Sequence, residues 1–267
     1  LGAGISSTAT SPVETIVENR KLNLAGDNAW TVDGTAQPTA LGATQTLLNV
    51  RSMHLSGNAA SGSDIGYYFP DGATLQTKRE ARTGNWKQIN NRSVTPATNI
   101  TRNYQTAWID HGTAPTDASY AYTVLPNASA SATEAYESSP EIAVLANTGA
   151  VQAVKETTLN LIGANFWTDS LQTVDLLTSN KKASVMTRET PDTSLAVAVS
   201  DPTQANTGTI QIELARSASG YTADPGITVT QLSPTIKFTV NVNGAKGKSF
   251  QANFTLGTDP GGGDPEP

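Results

Sequence analysis

Strict two-residue alternation of apolar and polar side chains is the feature that most constrains this chain. Ile236, Phe238, Val240 and Val242 alternate with Lys237, Thr239 and Asn241, and after Asn243-Gly244-Ala245-Lys246-Gly247 the pattern resumes with Phe250, Ala252, Phe254 and Leu256. A β-strand sends successive side chains to opposite faces, so each run buries one face and wets the other. With turn residues between them, the two runs read as a final hairpin in which 236–242 pairs with 250–256. The same alternation recurs in Leu195/Val197/Val199, in Ile210/Ile212/Leu214, and in 171–177 followed by Ser179-Asn180 and 183–187. In the first half it marks strands at 14–21, 29–32, 47–55, 65–69, 74–76, 104–110 and 120–125, with Pro70-Asp71-Gly72 as a turn between two of them.

Strands this short and closely spaced leave no room for helical crossovers, so the fold class is all-β, built from antiparallel sheets. One short helix is expected, opened by a capping box at Ser131-Ala132-Thr133-Glu134 and running to about Glu137. Pro140 closes it, which places a boundary between two modules at Ser138 to Pro140. A length of 267 residues accommodates two cores. The modules are therefore expected at 1–139 and 140–257. The stretch Asp259-Pro260-Gly261-Gly262-Gly263-Asp264-Pro265-Glu266-Pro267 contains only turn and linker residues, so 258–267 reads as a Gly/Pro linker. At the other end, Leu1-Gly2-Ala3-Gly4-Ile5 reads as the inside of a strand, as in a piece excised from a longer protein.

Composition removes several function classes. With no cysteine there are no disulfides, thiolate nucleophiles or cysteine-ligated metals. A net charge of −6 argues against nonspecific nucleic-acid binding, which needs clustered cations. No apolar run approaches the roughly 20 residues of a membrane helix, so no membrane partner is expected. The two histidines, His54 and His111, do not make a catalytic constellation. Asp110 and His111 are adjacent on a strand and point to opposite faces, and no Gly-x-Ser-x-Gly elbow accompanies them. Two distant histidines also fall short of a zinc site, and Asp27-Asn28 and Asp33-Gly34 read as turn chemistry rather than calcium ligands. No metal and no organic cofactor is implied.

One segment breaks the acidic background. From Lys78 to Arg102 the cations Lys78, Arg79, Arg82, Lys87, Arg92 and Arg102 oppose only Glu80, a local charge of +5 that leaves −11 for the rest of the chain. Trp86 lies within it, and Tyr104 and Trp108 just beyond. Guanidinium groups fork onto carboxylates and aromatic faces offer flat apolar surface, a mixture suited to an acidic sugar chain. A solvated loop with charges on both faces fits the same residues, because alternation sends half of them away from any shared surface.

At this segment the sequence resembles a known family. Met53-His54-Leu55-Ser56-Gly57-Asn58, Asp64-Ile65-Gly66-Tyr67-Tyr68-Phe69-Pro70, Ala81-Arg82-Thr83-Gly84-Asn85-Trp86-Lys87-Gln88-Ile89-Asn90 and Tyr120-Ala121-Tyr122-Thr123-Val124-Leu125-Pro126-Asn127 resemble, in that order, the β-sandwich region of polysaccharide lyase family 8. Glu14-Thr15-Ile16-Val17-Glu18-Asn19-Arg20-Lys21-Leu22 fits the same region, and 143–257 is similar to the family's smaller C-terminal β domain. Within the family, Val154-Lys155-Glu156-Thr157, 160–169 and Val185-Met186-Thr187-Arg188-Glu189 look most like xanthan lyases, with hyaluronate lyases next.

The resemblance implies an antiparallel super-sandwich domain followed by a smaller C-terminal β-sandwich, in a secreted enzyme acting on an acidic polysaccharide. It implies an upstream α/α toroid whose Asn, His, Tyr and Arg perform β-elimination on a uronic acid, without metal or organic cofactor. None of those catalytic positions falls in this chain, so His54, His111 and the tyrosines inherit no catalytic role. The family's β-domain loops overhang the cleft, and Arg82, Arg92 and Trp86 are the substrate-binding candidates that this implies. A carbohydrate-binding module acting without a catalytic partner is the competing reading.

Overall fold

The computed structural model describes residues 1–58 and 61–257, so the expected linker at 258–267 lies outside the described residues. Strands dominate the described residues, with one α-helix and one 3-10 turn among them, and the chain divides into two compact units at Pro140/Glu141. Each unit has its own hydrophobic cluster.

The first unit is built on a seven-stranded sheet. Its path runs Pro12–Lys21, Ile100–Thr113, Ile65–Gly84, Thr44–Leu55, Trp30–Val32, Thr35–Ala36, and Thr123–Pro126 joins the side of Ile65–Gly84. Val17, Trp30, Val50, Leu55, Tyr67, Phe69 and Leu75 are buried together on one side. Pro70-Asp71-Gly72 does not reverse the chain as the sequence predicts. It is absorbed into one continuous strand, Ile65–Gly84, both halves of which pair with Thr44–Leu55. Register slips from Val50↔Ala73 to Ser52↔Tyr68, so the extra residues form a bulge. Gly72 (φ 72°) takes the left-handed conformation within this bulge, and Asn49 (φ 53°) does so at a second register shift, between Leu47 and Val50.

The expected helix is present but starts earlier. It spans Ala130–Ser138, and its N-cap is Ser129, whose hydroxyl accepts the Ala132 N–H at 3.1 Å. Ser131 therefore sits inside the first turn, and the Ser131/Glu134 capping box does not form. The helix covers the second face of the sheet through Ser52 Oγ donating to Glu137 Oε2 at 2.9 Å and an edge-on Tyr68–Tyr136 contact. Close approach is possible because residue 66 is glycine: a Cβ there would lie 2.2 Å from Thr133 Oγ1.

In the second unit a seven-stranded sheet runs Ile142–Asn147, Val151–Glu156, Leu161–Phe166, Ala183–Thr190, Ser194–Ser200, Phe250–Leu256, Ala218–Ala223. A five-stranded sheet runs Gln172–Val174, Leu177–Ser179, Thr209–Leu214, Ile236–Asn241, Ile227–Gln231. The predicted final hairpin is therefore wrong. Ile236–Asn241 pairs with Thr209–Leu214 and Ile227–Gln231, whereas Phe250–Leu256 pairs with Ser194–Ser200 and Ala218–Ala223 in the other sheet. Residues between them carry the chain from one layer to the other. The two runs meet face to face instead, with the Phe238 and Phe254 rings 5.7 Å apart in the core. Alternation had identified the buried faces correctly; two inward faces meet equally well across a sandwich as along a ladder.

Candidate carbohydrate-binding groove

The basic segment occupies the end of the Ile65–Gly84 strand and the loop leading to Ile100–Thr113. Alternation splits its cations between the two faces of the sheet. Arg79 points inward, with only 1% of its surface exposed. Its Nε donates to Gln105 Oε1 at 2.8 Å, Nη1 to the Gly26 carbonyl at 3.0 Å and Nη2 to the Asn28 carbonyl at 2.9 Å. Desolvation lowers its pKa, opposed by the nearby Asp27 carboxylate. This arginine ties the 23–43 region to the sheet and is unavailable to any ligand.

Lys78, Glu80 and Arg82 point to the opposite face. Three neighbouring strands supply that face, with Lys78 opposite Thr106, Glu80 opposite Tyr104, Arg82 opposite Arg102, and Asn19 opposite Thr106 on the far side. Arg82 folds back across them: Nε donates to Glu80 Oε1 at 2.9 Å, Nη1 to Asn19 Oδ1 at 2.9 Å and Nη2 to Thr106 Oγ1 at 2.8 Å. Its guanidinium carbon lies 4.6 Å from the centroid of the Tyr104 ring, a cation–π contact. Hydrogen bonds from Lys78 and Arg82 hold the Glu80 carboxyl below the usual carboxylate range.

The loop then forms a short 3-10 turn, Trp86–Gln88, closed by a reciprocal cap in which Asn85 and Gln88 each satisfy the other's backbone N–H. Asn85 also reaches across the loop to Asn99 Oδ1 at 2.9 Å. These bonds hold the Trp86 side chain at the surface, 59% exposed. Between loop and sheet lies an open groove of about 460 Å³, lined among others by Asn19, Arg82, Trp86, Ile89, Arg102 and Tyr104. No carboxylate is among its lining residues.

Of the three candidates read from the sequence, Arg82 and Trp86 share this groove and Arg92 does not line it. Arg92 is exposed on the loop, where its backbone N–H meets Asn90 Oδ1 and its carbonyl accepts the Thr95 N–H. Arg102 lines the groove but was not singled out by sequence reasoning. Only the strand register, which places it opposite Arg82, reveals it.

The arrangement suits binding and not bond breaking. Two guanidinium groups, an amide and an indole can hold a carboxylate-bearing sugar, but no activated nucleophile or free base faces them. His111 hydrogen-bonds Thr15 Oγ1 at 2.8 Å, while the Asp110 carboxylate accepts the Gly112 N–H, so no triad forms there. His54 is buried with its Nε2 3.4 Å from Asp64 Oδ2. Among the described residues no cluster of His, Cys, Asp and Glu is arranged to hold a metal.

Comparison with known proteins extends over both units. Residues 1–137 match the family profile described as polysaccharide lyase family 8, super-sandwich domain, and residues 143–210 match its C-terminal beta-sandwich domain. A xanthan lyase of Bacillus sp. (strain GL1) is 68% identical over 270 residues, covering 100% of this chain and 29% of that protein. A hyaluronate lyase of Thermasporomyces composti is 35% identical over 258 residues, covering 96% of this chain and 32% of that protein. Among solved structures, a Paenibacillus xanthan lyase superposes with a TM-score of 0.94 at 50% identity, covering 97% of this chain and 25% of that one. A Streptomyces coelicolor A3 chondroitin AC lyase superposes at 0.79 with 32% identity, covering 95% of this chain and 30% of that one. The chain thus spans about a quarter to a third of the length of these relatives. Super-sandwich followed by C-terminal β-sandwich, matched in order along the sequence, makes this chain a member of polysaccharide lyase family 8.

Proposed function

We propose that this chain is the non-catalytic β portion of a secreted lyase that cleaves an acidic polysaccharide by β-elimination at a uronic acid. The substrate we assign is xanthan, from which the enzyme removes the terminal pyruvylated mannose. The observation that carries this reading is the 68% identity, over the whole chain, to a protein named xanthan lyase, against 35% to a hyaluronate lyase. The acid-free groove adds chemical support, because a substrate bearing carboxylates is repelled by acidic walls and attracted by guanidinium groups.

In this reading the chemistry belongs to an upstream α/α toroid. There, an asparagine and its neighbours neutralise the uronate carboxylate, a tyrosine takes the C5 proton and delivers a proton to the leaving oxygen, and the C4–O bond breaks as a C4–C5 double bond forms. The β portion contributes a rigid wall whose groove presents Arg82 and Trp86 to the sugar. A fixed guanidinium is favourable there because its ordering cost has been met in folding, before substrate arrives.

The test compares the isolated chain with the complete enzyme on xanthan, following ultraviolet absorbance of the new double bond and release of pyruvylated mannose. The complete enzyme is expected to be active and the isolated chain to stay at background. Robust elimination by the isolated chain overturns the assignment of chemistry to the toroid. A complete enzyme that acts on hyaluronate and leaves xanthan intact overturns the substrate.

A further inference from the structure

We propose that the outer face of the seven-stranded sheet in the second unit binds a segment of acidic polysaccharide chain, in a trough that runs along the strand Ser194–Ser200. This face belongs to a different unit from the groove described above, and the proposal rests on the proposed function only for the class of polymer.

Alternation decides what the face presents. Leu195, Val197 and Val199 point into the core, so Ala196 and Ala198 point outward. Register sets longer side chains on either side of them: Arg188 and Asn253 flank Ala196, and Met186 and Gln251 flank Ala198. Leu161 lies beyond Arg188 on one margin and Thr222 beyond Asn253 on the other. Short side chains between long ones leave an open trough of about 620 Å³. Small-ligand sites span roughly 300–1,000 Å³.

The walls carry polar groups without partners. Among the described residues, the Arg188 guanidinium and the side-chain amides of Gln251 and Asn253 make no hydrogen bond or ion pair. Arg216 and Lys237, in contrast, are paired on this unit with Glu189 and Glu213. Asp224 is the one carboxylate lining the trough, and it accepts the Gln251 backbone N–H at 2.9 Å. It follows the strand Ala218–Ala223, three strands from that of Arg188, which is about 14 Å at 4.8 Å per strand. That separation exceeds the roughly 8–10 Å over which exposed charges act in salt. A cation without a counter-charge calls for an anionic ligand, and in a chain of net charge −6 that anion is not supplied by the surroundings. Primary amides both donate and accept, as a row of sugar hydroxyls requires, and Met186, 53% exposed, offers apolar contact to ring C–H groups.

A second observation on the same face points to a sugar chain. Gln152 and Asn165 face outward as cross-strand partners, and the Trp167 indole lies beside them, 40% exposed, with Nε1 donating to Gln152 Oε1 at 3.0 Å. The bond orients a flat ring on which a sugar can stack. Trp167 is six residues along its strand from Leu161, about 20 Å at 3.3 Å per residue. A fixed indole at one end and a donor-lined trough at the other span several sugar units, so the ligand is a chain and not a single sugar.

The experiment is affinity electrophoresis of the 267-residue chain in native gels cast with xanthan, hyaluronate or neutral hydroxyethyl cellulose. Every form carries Arg82→Gln and Trp86→Ala, which disable the groove of the first unit and leave the second unit as the reporter. Retardation by an acidic polymer, and not by the neutral one, is expected. Arg188→Gln should raise the apparent dissociation constant about tenfold, the effect of losing one charge-assisted contact, with Arg188→Lys in between. Ala196→Glu, at an exposed position beside Arg188, gives that cation a carboxylate of the protein's own and should abolish retardation, whereas Ala196→Gln should only weaken it. Trp167→Ala should weaken it as well. Urea midpoints of the second unit close to those of the parent establish that each variant is folded. Retardation that survives both Arg188→Gln and Ala196→Glu overturns the proposal, as does a parent chain that neither acidic polymer retards; both results leave the proposed function standing. Retardation by hyaluronate alone, lost in Ala196→Glu, supports the trough and counts against xanthan as the substrate.

Discussion

Replacing Arg79 with methionine should destabilise the first unit by about 3 kcal/mol. The side chain is buried, and truncation strips donors from the Gly26 carbonyl, the Asn28 carbonyl and Gln105 Oε1. Each buried acceptor left without a partner costs about 1–3 kcal/mol, and the low end applies here because the 23–43 region can admit water once released. Methionine fills most of the volume, so a cavity adds little. With a urea dependence of about 2 kcal/mol per molar for a unit of this size, the midpoint should fall by about 1.5 M. Trp30, Trp86 and Trp108 belong to the first unit and Trp167 to the second. Fluorescence in a Trp167→Phe background therefore reports the first unit alone. Arg79→Lys should recover only part of the loss, since an ammonium cannot reproduce the fork that spans three acceptors. A midpoint unchanged by Arg79→Met would show that the buried guanidinium contributes nothing net and that the 23–43 region is anchored by other contacts.

Phe254→Ala should cost the second unit about 3–5 kcal/mol, because a fully buried ring that meets Phe238 across the sandwich is removed; calorimetry should show the second unit's transition moving and the first unit's staying in place. Asp201 gives the second unit an acid-sensitive element. Burial pushes its carboxyl up, but hydrogen bonds from the Thr203 hydroxyl and the Asn206, Thr203 and Gln204 N–H groups outweigh this and hold it below the usual value. A group with a depressed folded pKa stabilises above its unfolded pKa, and that stability disappears as pH falls through the folded value. Wild type should therefore lose stability below about pH 4. Asp201→Asn should be less stable at neutral pH and flatter across that acid range, as measured by thermal midpoints against pH.

The two-residue alternation made the all-β architecture legible, because burial on one face leaves its mark at every second residue. Pairing was less legible. Residues 236–242 and 250–256 each announce an inward face, yet nothing in either run states whether the partner lies beside it or across the core, and the structure places it across. The helix cap slipped by two residues because Ser129 and Ser131 offer the same hydroxyl, and only the extended backbone of Ser129 decides between them. Local charge and resemblance together single out Arg82, Arg92 and Trp86, of which the structure brings Arg82 and Trp86 to one groove and leaves Arg92 outside its lining. Alternation foretells that about half of the basic segment turns away from any shared surface without saying which cations do, and Arg79 is one that turns to the core; Arg102 comes to the groove beside Arg82 only through the strand register. Register is a property of two segments, and one segment's sequence does not contain it.

The most direct test of the central claim is the Michaelis constant of the complete enzyme with Arg82→Ala, measured on pyruvylated and depyruvylated xanthan. Loss of a desolvated, forked contact to the pyruvate carboxylate should raise KM on the pyruvylated polymer by about tenfold or more, while kcat and the depyruvylated constants change little. Thermal midpoints close to wild type would confirm that the fold is retained. Wild-type constants on both polymers would contradict the account, reducing the groove to a solvated surface and leaving the β portion without a hand in substrate recognition.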